Sequence, residues 1–212
     1  MTDECDPRMN EAAGQGAAAL IRLKDLSDPV VLFMLDYWKK KRGERLMPSP
    51  DDMNPVDFAR FMPHLQMIQV DWEPFDLTYR LLGGEISDVH GGNYAGRKVR
   101  DLDEVSEGFG SMMYELFRMV ALDRRPYAAG GTLASLGRGH TRFQGVYMPL
   151  SFGGDRADRI VCCSSFEVRA ELGLSGFSAT TTSNCFQFLL SDSISLSYIP
   201  SLLLRRTPVS AP

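Results

Sequence analysis

The side chains best suited to acid–base chemistry are Asp88 and His90, which stand two residues apart in a glycine-rich segment. A carboxylate and an imidazole can exchange a proton with each other or with a substrate. Residues two apart do not face each other on a helix, so the pair lacks the geometry of a catalytic dyad. We therefore expect no enzymatic activity. A small enzyme or ligand carrier that uses Asp88, His90 and Arg97 is kept as the alternative.

The glycine-rich segment itself, GGEISDVHGG at residues 83–92, invites comparison with a phosphate-binding loop. Such a loop needs the order GxxxxGK[ST], in which lysine and a hydroxyl follow the glycines. Neither follows here, and glycines at this density are typical of tight turns. The segment predicts turns around a short helix at residues 85–90.

The four cysteines offer no metal or disulfide chemistry. They form no CxxC pair and have no histidine at metal-ligand spacing, so we expect no metal site. Cys162 and Cys163 are adjacent in a strand-like run, where neighbouring side chains point to opposite faces of a sheet. They are interpreted as small core residues in a reducing cytosol, which predicts a cytoplasmic protein.

Composition excludes two further classes of function. The 212 residues carry a net charge of −4, and the basic residues cluster only at residues 39–42, so nucleic-acid binding has no electrostatic support. No stretch reaches the roughly 20 apolar residues of a membrane span. A hydrophobic content of 44% is enough for one buried core.

Residues 28–42 are predicted to form a leading helix, capped by Asp28 with proline at its first position and stopped by Gly43. Its apolar residues recur at helical spacing. This stripe consists of Val30, Phe33, Met34, Tyr37 and Trp38. Because the stripe lies outside the compact five-strand core, it must cover either the sheet or another subunit, and we favour a dimer or transmission surface.

The rest of the pattern predicts five strands and a second long helix. The strands fall at residues 64–72, 76–84, 127–135, 140–151 and 159–168. Apolar residues at helical spacing from Phe109 to Val120 form the helix. Strands that follow one another in hairpins give an α+β fold: a five-stranded antiparallel sheet with helices on one face.

The two ends of the chain differ from the middle. Residues 1–27 are rich in alanine, glycine and charge, and are interpreted as a mobile leader. Residues 169–212 are rich in serine, threonine and leucine without sustained periodicity, and are interpreted as a disordered tail. The predicted domain therefore spans residues 28–168.

This middle region resembles the small PAS-domain family common in alphaproteobacteria, in which a leading Tyr-Trp helix precedes a compact PAS core. The matching stretches are Asp36-Tyr37-Trp38 with Arg42-Gly43, Asn54-Pro55, Met62-Pro63-His64-Leu65, Tyr79-Arg80-Leu81 with Gly83, Gly96-Arg97, and Tyr147-Met148-Pro149-Leu150-Ser151 with Gly154. The resemblance implies a bacterial sensory or signalling module without catalytic activity, which acts through contact with a protein partner or with itself.

Within that family the cofactors must be argued from residues. Flavin photosensors of this fold resemble GRNCRFLQ around a reactive cysteine, whereas residues 91–99 read GGNYAGRKV, with Tyr94 in the place of that cysteine. Haem needs an axial ligand, and only His64, His90 and His140 could supply one. The long helix at residues 106–122, the usual site of a haem-binding histidine in this fold, contains none. We expect neither flavin nor haem.

A small-molecule pocket between sheet and helices is a further expectation. Its candidate lining residues are Tyr79, Tyr94, Met113, Phe117, Phe143 and Tyr147, with His90 and Arg97 as polar candidates. Aromatic and methionine side chains also fill ordinary cores, so both interpretations stay open.

Overall fold

The computed structural model describes residues 18–168, apart from the side chain of Ser135. Six strands lie in this part of the chain: β1 (Ala19–Ile21), β2 (Leu65–Trp72), β3 (Phe75–Leu82), β4 (Tyr127–Leu133), β5 (Arg138–Leu150) and β6 (Arg159–Val168). They form one antiparallel sheet in the order β1-β4-β5-β6-β2-β3. The predicted α+β class and antiparallel sheet are confirmed.

Three α-helices accompany the sheet: α1 (Pro29–Arg42), α2 (Gly84–His90) and α3 (Phe109–Asp123). Two 3₁₀ segments lie in the connections between these elements: Pro55–His64 precedes β2, and Val99–Glu104 lies between α2 and α3. None of the helices in residues 18–168 combines the length and the apolar composition that a bilayer crossing requires.

Strands β5 and β6 separate two apolar cores, because their side chains alternate between the faces of the sheet. Tyr147 and Cys162 belong to the core that also contains residues of α2 and α3. Val146, Met148 and Cys163 belong to the core beneath α1. The prediction that Cys162 and Cys163 point to opposite faces is confirmed, and both are buried free thiols.

The ends of α1 follow from local chemistry. One carboxylate oxygen of Asp28 accepts hydrogen bonds from the backbone N–H groups of Val30 and Val31, at 2.9 and 3.1 Å. These N–H groups have no partner within the helix, so the carboxylate caps its N-terminus. At the other end Gly43 has a φ of 57°, which favours glycine. The predicted bounds of the helix are confirmed.

The position of α1 corrects the sequence interpretation. Met34 and Trp38 are 0% and 1% exposed, and the indole N–H of Trp38 donates to the carbonyl oxygen of Pro149 at 2.9 Å. The expectation that this helix lies outside the compact core is wrong. Parts of β5 and β6 are apolar on both faces, so the face opposite α2 and α3 must also be buried. Helix α1 packs on that face.

Other residues of the predicted stripe stay partly accessible. Val30, Phe33 and Tyr37 are half-buried. Phe33 and Phe61 have ring centroids 4.9 Å apart, and Tyr37 and Phe58 meet edge to face at 5.4 Å. The stripe is therefore divided between a side that covers the sheet and a side that forms a partly exposed aromatic cluster.

Strand β1 makes the sheet one strand larger than predicted. Its three residues pair with Ala128, Ala129 and Gly130 at the edge of β4. These residues fall inside the segment predicted to be a mobile leader, so that prediction is wrong for residues 19–21. Three residues are too short a run to show alternation in the sequence. Residues 1–17 and the predicted tail, 169–212, lie outside the described residues.

Trp38→Ala is expected to lower the free energy of unfolding by about 3–5 kcal/mol, because it removes a fully buried aromatic side chain. Trp38→Phe keeps most of the apolar contact but leaves the carbonyl of Pro149 without its donor, and is expected to cost about 1–3 kcal/mol. Denaturant unfolding followed by circular dichroism measures both values. Wild-type stability in Trp38→Ala would contradict burial of α1 against the sheet.

Gly83→Ala and Gly84→Ala form a matched pair at the start of α2. A Cβ on Gly83 would lie 2.2 Å from the carbonyl oxygen of Met62, whereas a Cβ on Gly84 would meet nothing within 4 Å. Since the backbone of Met62 must shift, the first change is expected to cost about 2 kcal/mol or more. The second is expected to be neutral or to stabilise by about 0.4–1 kcal/mol. Equal unfolding free energies for the two variants would contradict the close approach.

Candidate functional site

A cavity of about 40 Å³ lies between the sheet and the helices α2 and α3. Its walls come from strands β2, β4, β5 and β6, from both helices, and from Ala18. One water molecule needs roughly 10–15 Å³ of space, so this cavity is larger than a single water site. A cavity of this size inside a protein core leaves room for a small polar head group.

Gln66 contributes a polar wall to this cavity. The alternation along β2 places Ile68 and Val70 in the core beneath α2 and α3, and Gln66 shares their parity. The side chain is 2% exposed, and its Oε1 accepts no hydrogen bond from the described residues. A buried acceptor without a donor destabilises the fold, so its presence on a cavity wall needs an explanation.

His90 is the second polar group on the wall. It is the last residue of α2, is 5% exposed, and has no hydrogen-bond partner at Nδ1 among the described residues. The rings of Phe109 and Tyr79 pack edge-on against it, with centroids 5.6 and 6.4 Å away. Burial among these rings lowers the pKa of His90 to about 4, because the charged imidazolium loses its hydration. His90 is therefore neutral at pH 7.

Tyr147 and Ser164 are two further polar residues beside these groups. Both line the cavity, and their hydroxyl groups lie near each other above Gly145. Burial raises the pKa of Tyr147 well above its usual range, so the hydroxyl keeps its proton. A Cβ on Gly145 would lie 2.8 Å from Ser164 Oγ and 3.0 Å from the Tyr147 hydroxyl. Glycine at that position leaves room for the pair.

The outer part of the wall is apolar. Met112, Phe143 and Phe166 are half-buried and line the cavity. In the described residues no Asp, Glu, Lys or Arg lines it. The same residues bring no three His, Cys, Asp or Glu side chains together in a way that could hold a metal ion. The arrangement is suited to an uncharged ligand with one polar end.

The predicted pocket residues divide into three groups. Met113, Phe143, Tyr147 and His90 line the cavity. Tyr79 and Phe117 are completely buried in the same core but do not line it. The hydroxyl of Tyr79 has no hydrogen-bond partner among the described residues, and burial raises its pKa.

Tyr94 and Arg97 are placed elsewhere. Tyr94 is half-buried at the edge of the core, and the guanidinium of Arg97 lies 5.4 Å from the centre of its ring. Arg97 pairs with Asp101 at 3.3 Å and with Glu104 at 2.7 Å, and is exposed. The prediction of Arg97 as a polar pocket residue does not agree with this position, because its charge is satisfied at the surface.

Sequence reasoning missed Gln66 and Ser164. The signal was available for Gln66, since a strand at residues 64–72 puts it on the same face as Ile68 and Val70. Ser164 similarly shares parity with Cys162. Both are small or polar residues on an otherwise apolar face, a pattern that indicates a polar cavity wall as well as an ordinary buried hydrogen bond.

Comparison with known proteins identifies the middle of the chain. A family model described as a PAS domain matches residues 28–161. No curated protein and no solved structure matches the chain.

The free energy of unfolding is expected to depend on pH through the protonation of His90. In the folded protein it binds a proton only near pH 4, whereas an unfolded histidine does so near 6.5. Between these values the unfolded state binds more protons than the folded state. The neutral His90 therefore contributes its full share to the free energy of unfolding above pH 6.5, and this share is lost as the pH falls. Its share of the unfolding free energy is expected to drop by about 2 kcal/mol between pH 7 and pH 5.

Urea unfolding at a series of pH values measures this loss. His90→Phe removes the titrating group and is expected to flatten the dependence above pH 5. The matched control is His140→Asn, which changes an exposed histidine and is expected to leave the dependence as in wild type. A His90→Phe protein that keeps the full wild-type dependence would contradict the buried, neutral state of His90.

Proposed function

The chain belongs to the PAS domain family, and on this premise we propose that residues 28–168 form a non-catalytic sensory module that binds a small molecule and acts through protein contact. The family description supports a sensory or signalling role. The ligand and the contact surface are argued from the residues of this chain. An alphaproteobacterial type of domain and a cytoplasmic setting remain predictions from the sequence.

The observation that carries the proposal is that two residues of the cavity wall each have an unpartnered buried polar atom. Gln66 Oε1 and His90 Nδ1 are both buried without a hydrogen-bond partner among the described residues. Such atoms destabilise the empty core, and a ligand that bonds to them offsets that cost. A sensor needs this property, because its stability or shape must depend on occupancy.

The opposite face of the sheet supports a role in output. Strand β5 carries Tyr147 towards the cavity and its neighbours Val146 and Met148 towards α1. A displacement of this strand therefore changes the packing of α1 as well. We propose that α1 is the transmission element, with its half-buried residues Phe33 and Tyr37 as the contact surface for a second copy of the chain.

No flavin or haem is part of the proposal. Pockets for drug-sized ligands have volumes of about 300–1,000 Å³, far above that of the cavity. His90 also lies within the core, with aromatic rings edge-on against it. A nucleic-acid partner is likewise left out, because the net charge of the chain is −4.

The alternative, a small enzyme on a similar scaffold, depended on the convergence of Asp88, His90 and Arg97. Asp88 and Arg97 are exposed, whereas His90 is buried. Arg97 is held in two ion pairs. This placement favours the sensory role over acid–base catalysis, while the cavity keeps ligand carriage as part of the same proposal.

Native mass spectrometry of the full chain tests the contact through α1 and the expectation that neither flavin nor haem is bound. Wild type is expected to give a dimer that carries no flavin or haem mass. Phe33→Glu introduces a charge on the contact surface and is expected to raise the dimer dissociation constant by about tenfold or more. Circular dichroism is expected to show that this variant stays folded, because Phe33 is only half-buried.

The matched control is Leu122→Glu, which places the same charge at an exposed apolar position of α3. It is expected to leave the dissociation constant within about twofold of wild type. A wild-type chain that stays monomeric at high concentration would contradict self-association through α1. A bound flavin or haem at full occupancy would contradict the proposed ligand class.

A further inference from the structure

The walls of the cavity restrict the chemistry of its ligand. Gln66 Oε1 is a hydrogen-bond acceptor without a donor among the described residues, and His90 Nδ1 lacks a partner in the same part of the chain. A molecule that satisfies both must bring at least one N–H or O–H group. This requirement selects a ligand that donates.

The charge of the ligand is restricted as well. Of the described residues that line the cavity, none is Asp, Glu, Lys or Arg, and His90 is neutral at pH 7. A carboxylate or an ammonium group would enter without a counter-charge, which is strongly unfavourable in a desolvated site. The head group of the ligand must therefore be uncharged.

The size of the cavity and the composition of its wall restrict the remaining features of the ligand. The volume of about 40 Å³ exceeds a single water site and leaves room for a head group as small as a primary amide. Beyond the polar pair, Met112, Phe143 and Phe166 provide a half-buried apolar wall. This wall is suited to an alkyl chain that leaves the cavity towards the surface.

We propose that this cavity binds an uncharged amphipathic molecule whose head carries a hydrogen-bond donor, of which a short-chain primary amide is the simplest case. The head hydrogen-bonds Gln66 and His90, and the alkyl chain packs on Met112, Phe143 and Phe166. The inference rests on the proposed sensory function, since it names the ligand class of that module.

Three probes of equal chain length test the proposal on the full wild-type chain: hexanamide, hexanoate and N,N-dimethylhexanamide. Hexanamide has a neutral donor head, hexanoate is an anion without a donor, and the dimethyl compound is neutral without a donor. Titrations followed by the His90 imidazole and Met112 methyl resonances give the dissociation constants. Hexanamide is expected to bind saturably and at least about tenfold more tightly than either of the others.

Gln66→Met removes the acceptor at similar volume and is expected to weaken hexanamide binding by about tenfold or more. Gln69→Met is the matched control, because Gln69 lies on the opposite face of β2 and donates to Asp71 at 2.6 Å. It is expected to leave the dissociation constant within about twofold of wild type. If Gln66→Met fails to fold, the comparison of the three probes on wild type still decides the question.

Several results would overturn the inference. Equal or tighter binding of hexanoate would show that the site accepts a charge. Equal binding of the dimethyl compound would show that no donor is needed. No saturable change at His90 with any probe would show that the cavity holds water alone.

The outcome is separate from that of the proposed function. Loss of hexanamide selectivity with an intact, Phe33-dependent dimer removes the ligand class alone. Selective binding to a chain that stays monomeric upholds the ligand class and removes the contact through α1.

Discussion

Residues 146–150 of β5 and 160–163 of β6 are apolar on both faces, and the need to bury both faces organises the described domain. A sheet of this kind cannot leave either face in water, because each exposes a continuous apolar surface. Helices α2 and α3 cover one face, and α1 covers the other. The leading helix is thus part of the core. Its caps at Asp28 and Gly43 set its length, while the sheet determines where it lies.

The cavity is the exception to complete burial, and it lies where polar side chains enter an apolar core. The buried Gln66 Oε1 and His90 Nδ1, which have no partner among the described residues, both lower stability relative to apolar groups of the same shape. The surrounding core compensates with closely packed aromatic rings, such as Phe117 against Tyr147, whose centroids are 5.9 Å apart. A local cost that the rest of the fold can tolerate is typical of functional sites.

Much of the fold could be predicted from sequence, because its signals are local. The capping Asp28 with Pro29, the spacing of Phe109 to Val120 and the short hairpin turn at Glu73-Pro74 each indicate an element directly. The direction in which an apolar stripe faces is not local information. Trp38 on a helix predicts burial against some surface. That surface is the chain's own sheet, because β5 and β6 have apolar residues on both faces.

The candidate site was partly predictable for the same reason. Met113, Phe143, Tyr147 and His90 were found because large or titratable side chains attract attention. Arg97 was misplaced because its partners Asp101 and Glu104 appear in the sequence only as nearby acids in a loop. Gln66 depends on the parity of one strand, which a shift of one residue would reverse. Its place on the cavity face of the sheet is fixed by the register with β6, which the sequence alone does not give.

Two hydrogen-bonded links give the sheet a direct route from the cavity to α1. The Gln144 side chain on β5 accepts from the backbone N–H of Ser27 and of Asp28, each at 2.9 Å, at the start of that helix. Gln144 directly follows Phe143, which lines the cavity. Further along β5, Pro149 accepts from Trp38, two residues after Tyr147. A displacement of β5 therefore reaches α1 at both links, and this supports the proposed coupling between the cavity and that helix.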